Sequence, residues 1–221
     1  MSGKNQNLYK YLLIALAVIV IDQAVKMLVY FYMEKGQSGE IHIFGDFFKL
    51  HYLTNRGMAF GLEFSWLENS KLVLTLLRLF AVTGIVYYIS WLIKKDSPKG
   101  LLWCMALILG GAIGNVVDST FYGVLLEGNL PKDAPYTWFH GQVIDMFYID
   151  IWEGCLDVPV LGQKCMALWP VFNVADASIF IGITIILIFQ KKYFGNMSGD
   201  EKKNADNNTQ ISGLETEKDK A

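Results

Sequence analysis

No basic cluster with interleaved aromatics runs through this 221-residue chain, and its formal net charge is only −2. The electrostatic footprint of a nucleic-acid binder is therefore missing. The three cysteines follow no zinc spacing, and one of them, Cys104, sits inside an apolar stretch. His42, His51 and His140 have no partner spacing for a metal site either and read as surface or interfacial residues. Cys155 and Cys165 lie in one loop, where a disulfide in an oxidising compartment and two free thiols are alternatives. No internal repeat relates the two halves, which weakens a transporter reading, because many secondary transporters place their sites between related repeats. No small-residue cleavage site follows the run from Tyr11 to Ile21, although Lys4 and Lys10 flank it as they would a signal peptide. That run reads instead as a retained span continuing through Asp22 and Lys26 to Met33.

What the chain does have is apolar surface. Hydrophobic residues make up 53% of it and charged residues 18%, and its mean hydropathy is positive, too apolar for a soluble domain of this length. A hydrocarbon core about 30 Å thick needs about 20 mostly apolar residues per helical span. Four stretches meet that length, at 8–33, 70–93, 100–120 and 169–190. Lys4 and Lys10 precede the first, Lys94, Lys95 and Lys99 crowd the second connection, and Lys191 and Lys192 follow the last. By the positive-inside rule these ends are cytoplasmic, with both termini on that side. The long connections 34–69 and 121–168 then face outward; the second sets Lys132 and Lys164 against Glu127, Asp133, Asp145, Asp150, Glu153 and Asp157. Residues 1–194 form one membrane domain. From Gly195 the chain turns to Asn, Ser, Thr, Glu and Lys, the composition of a disordered cytoplasmic tail; the glycosylation-like triplets at Asn196 and Asn207 fall on the wrong side.

In the first outward loop, Ile41, Ile43, Phe47, Phe48, Leu50 and Tyr52 alternate imperfectly with polar residues, as in short strands with one wet face that could lie on a membrane surface. The loop runs into Asn55-Arg-Gly-Met-Ala-Phe-Gly61, whose glycines Gly57 and Gly61 open backbone shapes closed to other residues. Within the spans, Asp22 and Lys26 stand four apart on one helix face, as a structural ion pair. Gly110, Gly111 and Gly114 permit close helix approach. Asn115 and Asp118, and again Asn173 and Asp176, stand three apart, suited to an interhelical hydrogen-bond network or to holding a catalytic group. Counted from Trp169, Asp176 would sit about 10 Å inside the last helix.

An ionisable group at membrane depth costs about 2.5 to 3.5 kcal/mol even on lenient scales, so it is usually retained for a task or buried against a partner. Two carboxyl groups in one site cannot both ionise easily, so one keeps a proton while the other stays charged. The charged one can take a proton from water as that water attacks a carbonyl, and the neutral one can donate to the oxyanion or the leaving amine. That is aspartic-type amide hydrolysis, with neither a covalent intermediate nor a metal. Spacing alone does not choose the pair among Asp22, Asp118, Asp145 and Asp176, and a proton relay would use the same residue type.

The order of the motifs adds a resemblance. Asp22 to Lys26, Asn55-Arg-Gly-Met-Ala-Phe-Gly61, Gly110-Gly-Ala-Ile-Gly-Asn-Val-Val-Asp118, Val143-Ile-Asp-Met-Phe147 and Phe172-Asn-Val-Ala-Asp-Ala-Ser178 occur as they do in the lipoprotein signal peptidase (signal peptidase II) family. The resemblance covers about residues 20 to 185. It implies an all-α integral membrane protein of four transmembrane helices, with a small outward β-cradle and an extended outward loop that carries a helix. It further implies an intramembrane aspartic endopeptidase with Asp145 and Asp176 as the catalytic dyad. Asn55, Gly57, Asn115, Asp118 and Asn173 match positions that order the dyad or bind the substrate, and Asp22 with Lys26 matches the first-helix motif. The substrate class would be diacylglyceryl-modified prolipoproteins cut just before the lipidated Cys, in a bacterial cytoplasmic (inner) membrane, by a monomer without cofactor or metal. A proton-coupled transporter and a noncatalytic lipoprotein-binding protein are the competing classes. Two departures stand out. The third motif of the family commonly ends Asp-Arg, whereas Ser119 follows Asp118 here, with Arg56 and Arg78 as the candidates to compensate. The stretches 119–142 and 148–168 are long and carry Tyr136, Trp138, Phe139, His140 and Trp152, with Trp169 just beyond, aromatics suited to an interfacial anchor or a lid.

Overall fold

The computed structural model describes residues 7–56, 70–151, 153–158, 162–167 and 169–194, and only the backbone over most of 153–167. Gly57, Gly61 and the tail 195–221, with Asn196 and Asn207, lie outside the described residues. Three long helices fall where hydropathy places them: α1 Leu8–Tyr32, α2 Ser70–Lys94 and α3 Lys99–Leu125. Each is long and apolar enough to cross a membrane. The Asn7 side chain starts α1 by accepting the Tyr9 N–H at 3.1 Å, satisfying one of the orphan donors of a first turn.

The fourth span differs from expectation. Instead of a helix over 169–190, α4 runs Val174–Ile188, 15 residues, about 22 Å at 1.5 Å per residue; further helical residues follow at 190–194. Pro170 cannot donate to a helical ladder, and Asn173 caps the helix with its side chain, so 169–173 stays extended. Asp176 is consequently in the first turn of α4 and not deep along it.

Helix α3 is the central element, touching α1, α2 and α4. Its glycine stripe permits this: a Cβ on Gly111 would run into the Ala175 carbonyl of α4, and one on Gly110 would meet the Val18 side chain of α1 at 2.7 Å. The main core gathers Ala15, Leu102, Ala106 and Leu109 with Ile89 and Leu92. Exposure is inverted relative to a soluble protein. Leu13, Phe31, Phe80, Leu77, Phe180 and Leu187 face outward while Asp22, Lys26, Asp118 and Asp145 are buried, the pattern of a molecule whose solvent is lipid.

The loop 34–69 does form strands. β1 Ile41–Phe44 pairs antiparallel with β2 Phe48–Asn55, and Ile41, Ile43, Phe44 and Phe47 are exposed around that hairpin. The second long loop departs from the resemblance: among the described residues after Leu125 and before α4 there is no helix but three strands, β3 Val143–Ile149, β4 Glu153–Val158 and β5 Gly162–Ala167. β3 completes a β1-β2-β3 sheet, so the fold is mostly helical rather than all-α, and β4-β5 is a separate hairpin. Its register sets Cys155 opposite Cys165, the backbone condition a bridge needs, while the two side chains lie outside what is described. Burial hides the strand pattern of β3. Val143, Ile144, Asp145 and Met146 are buried on both faces, so no alternation of polar and apolar residues announces it.

Candidate active site

Asp145 is the third residue of β3, and the sheet fixes what it meets. In the β2–β3 register Leu53 opposes Asp145 and Asn55 opposes Val143. Asn55 is therefore the diagonal neighbour of Asp145, within side-chain reach on the same face, and its Nδ2 donates to Asp145 Oδ2 at 3.1 Å. The opposite face of β3, Ile144 and Met146, packs with Val29, Tyr52, Tyr122 and Leu126, which anchors the strand to α1 and α3.

A short antiparallel bridge brings the second acid to the first. The Phe147 and Phe172 backbones exchange hydrogen bonds of 2.8 and 2.9 Å, and their rings lie 5.6 Å apart. The next residue is Asn173. Its Nδ2 donates to Asp145 Oδ1 at 2.7 Å, its Oδ1 accepts the Asp176 N–H at 2.9 Å, and its own N–H reaches Asp176 Oδ2 at 3.4 Å. The three-residue spacing of Asn173 and Asp176 is thus a capping box, with one residue touching both carboxylates. Asn115 on α3 donates to Asp176 Oδ1 at 2.8 Å.

Behind the two acids lies a buried ion cluster. Lys26 Nζ is 2.8 Å from Asp22 Oδ2 and 2.7 Å from Asp118 Oδ2, with all three side chains fully buried. The same ammonium donates to Asn115 Oδ1 at 3.2 Å, and Asp22 Oδ1 accepts the Ala175 N–H at 2.8 Å. Asp22 and Lys26 are therefore more than the intrahelical pair expected from their spacing. They tie α1 to α3 and to the positive end of α4, where a carboxylate is favoured by the helix dipole.

Electrostatics separates Asp145 from an ordinary surface acid. Burial pushes its carboxyl up to about 7, the charge of Asp176 pushes the same way, and the amides of Asn55 and Asn173, with Lys26, pull against them. Asp145 is buried and Asp176 half-buried. A carboxyl in that setting keeps its proton up to near neutrality.

The remaining sequence candidates are placed as follows. Gly57 lies outside the described residues. Arg56 pairs its guanidinium with Asp133 at 2.7 and 3.0 Å, on the exposed side. His140, expected at the surface or at the membrane interface, is buried, with Nδ1 2.8 Å from the Trp138 carbonyl, because the 139–141 segment folds back onto the end of α3 through Phe139 N–H to Thr120 and Gly141 N–H to Ser119. His42 and His51 instead face Asp46 and Glu40 on the β1-β2 sheet. Sequence reasoning missed Gln23, whose Nε2 donates to Asp118 Oδ1 at 2.9 Å and whose Oε1 accepts from Tyr122. It also missed buried Lys71 and Thr75 of α2. An uncharged amide inside an apolar run was the signal for the first; Lys71 at a helix start reads from sequence as an interfacial lysine.

Helices long enough to cross a membrane, a small sheet at one end of them and a cluster of acids where the two meet fit a multi-pass integral membrane protein with a buried acidic centre. The signal peptidase (SPase) II family profile matches residues 14–191. Proteins named lipoprotein signal peptidase are similar over most of their length: that of Amoebophilus asiaticus is 46% identical over 83% of this chain and 78% of its own. That of Porphyromonas gingivalis is 38% identical over 77% of this chain and 78% of its own. A solved bacterial membrane enzyme shares the fold with a TM-score of 0.57 at 23% identity, over 85% of this chain and 96% of that one. The chain belongs to the signal peptidase II family, and is thus a membrane peptidase.

Proposed function

We propose that this peptidase is an intramembrane aspartic endopeptidase that removes signal peptides from diacylglyceryl-modified prolipoproteins, cutting just before the lipidated Cys. The observation that carries the reading is Asn173, one side chain hydrogen-bonded to Asp145 and capping onto Asp176. In the resting pair one proton is shared, and Asp145, with its affinity raised by burial beside Asp176, is its holder. Water enters between the acids. Asp176 takes a water proton as the hydroxide adds to the scissile carbonyl carbon, and Asp145 gives its proton to the carbonyl oxygen, leaving a neutral gem-diol. Asp176 then hands its proton to the amide nitrogen, the C–N bond breaks, and the diol proton returns to Asp145. Asn55, Asn115 and Asn173 keep the carboxylates in place through this cycle, and no cofactor or metal takes part.

The chain would cross the membrane four times, α4 with the helical residues after it making the last crossing. The lysines of the α2–α3 connection and of the two ends would be cytoplasmic, and the sheet with the acid pair would lie at the outward face. The protein would act as a monomer in the bacterial cytoplasmic membrane, taking substrate laterally from the lipid. The test is signal-peptide release from a lipidated prolipoprotein by purified protein. Wild type is expected to cleave, and Asp145→Asn and Asp176→Asn, inserted and folded, to fall by at least about 10³-fold, since an amide can neither accept the water proton nor hold the shared one. Cleavage by Asp145→Asn at near wild-type rate would overturn the dyad.

A further inference from the structure

The strongest unexplained feature is a polar stripe on α2. Lys71, Thr75 and Arg78 lie on one face of a helix whose exposed residues include Leu76, Leu77 and Phe80. Thr75 is fully buried and Lys71 nearly so; the Thr75 hydroxyl donates to the Phe139 carbonyl at 3.0 Å, and Lys71 Nζ donates to the Arg56 carbonyl at 2.7 Å. Both basic side chains converge on one atom. Arg78 Nη1 donates to Ser119 Oγ at 2.9 Å, and Lys71 Nζ reaches the same oxygen at 3.4 Å. Ser119 is fully buried and follows Asp118 at the position where the third family motif commonly has arginine. Cations at this depth are costly unless they have a task. The Arg78 charge is also within electrostatic reach of Asp176, Asp118 and Asp145.

We propose that Arg78, seated on Ser119, supplies from α2 the guanidinium that the third motif lacks, as a positioning residue whose charge holds the Asp145–Asp176 pair in its singly ionised form. The inference rests on the aspartic-protease reading. Serine is then a fitting residue at 119: it is small enough to admit an arginine from the neighbouring helix, and its hydroxyl accepts from it. Arg56 does not fill the role, because its guanidinium is turned to Asp133 on the exposed side. The other charged groups around the pair are Asp22 and Lys26 on α1, Lys71 on α2 itself, Asp118 on α3, and Arg56 beyond β2. Lys26 is held by Asp22 and Asp118 and acts on Asp145 from the α1 side, and Arg78 faces the same pair from α2.

Removing a cation makes both carboxyls harder to ionise, so Arg78→Gln should move both limbs of the pH–rate profile to higher pH. Arg78→Lys should keep the limbs near those of wild type. The transposed pair Ser119→Arg with Arg78→Ser should recover rate relative to Arg78→Ser alone. Unmoved limbs in Arg78→Gln, equal losses in Arg78→Gln and Arg78→Lys, or no recovery in the transposed pair would each overturn the assignment. Asp145→Asn assayed alongside separates this from failure of the protease reading, in which case wild type and Asp145→Asn would behave alike. The carboxyl ¹³C titration of Asp145, followed in wild type and Arg78→Gln, reads the same upward displacement without turnover; a titration that stays in place contradicts the proposal on its own.

Discussion

Asn173 couples the start of a helix to the geometry of both acids, and its substitution separates stability from chemistry. Asn173→Ala removes an N-cap acceptor, a loss of about 1 kcal/mol, measurable by thermal unfolding in detergent. It also frees Asp145 Oδ1 from its 2.7 Å donor, and cleavage should fall by on the order of 10²-fold, because misplacement of a catalytic group by about 1 Å costs that much. A fall in activity no larger than the loss of folded protein would make Asn173 a cap and nothing more. In the proposed mechanism the acid pair also sets the pH dependence. A carboxyl raised to about 7 by burial and by Asp176 is protonated below that pH and loses its proton above it. The alkaline limb of the rate profile should therefore fall through about pH 7 as the pair becomes doubly ionised, and the acid limb should fall where both acids are protonated. A rate still rising well above pH 8 would contradict the assignment. The acids, Asn115, Asn173 and the Asp22–Lys26 pair stood out in the sequence because they interrupt apolar runs, whereas Asn55 entered through its motif with Gly57 and Gly61 and the resemblance. Gln23 and Lys71 did not stand out, and Ser119 did so with Arg56 and Arg78 left as alternatives, because which neighbour each of them faces is not encoded in any local spacing.

At the scale of elements, α3 is where substitution should be felt most. A Cβ at Gly111 would meet the Ala175 carbonyl, and Ser178 Oγ at 2.5 Å, so Gly111→Ala must part α3 from the turn that carries Asp176. A cost of about 1–3 kcal/mol, typical of overpacking, with reduced cleavage, is expected. A Cβ added at Gly84 on α2 would have nothing within 4 Å, and Gly84→Ala should leave both properties nearly unchanged, which makes it the control. Lys26→Met leaves Asp22 and Asp118 buried without their shared cation, a change expected to cost about 3–5 kcal/mol in the same melts. The long helices were legible because mostly apolar stretches of 25 to 27 residues leave few alternatives. The start of α4 and strand β3 were not. The first is set by Pro170 and the Asn173 cap inside a continuous apolar stretch, and the second is buried on both faces, so neither carries the periodicity that separates helix from strand.

At the scale of the molecule, apolar helix faces point outward and the charges point in, the arrangement that lipid as solvent demands. The lysines between α2 and α3 lie at one end of the bundle and the sheet at the other. A reporter at residue 97 should accordingly be cytoplasmic and one near residue 130 outward, as labelling of intact cells from outside would register; a cytoplasmic label at 130 would reverse the access route to the acids. The proposed reaction is hydrolysis by Asp145 and Asp176 of a peptide bond held at their level by a lipid anchor. Its most direct test is mass analysis of the products when purified protein meets one prolipoprotein in diacylglyceryl-modified and unmodified forms. Wild type should release the signal peptide from the modified form alone, leaving diacylglyceryl-Cys as the new N-terminus, with no effect of chelator, and Asp145→Asn and Asp176→Asn should release none. Cleavage that survives either Asp→Asn change, or that chelation abolishes and zinc restores, would contradict the account.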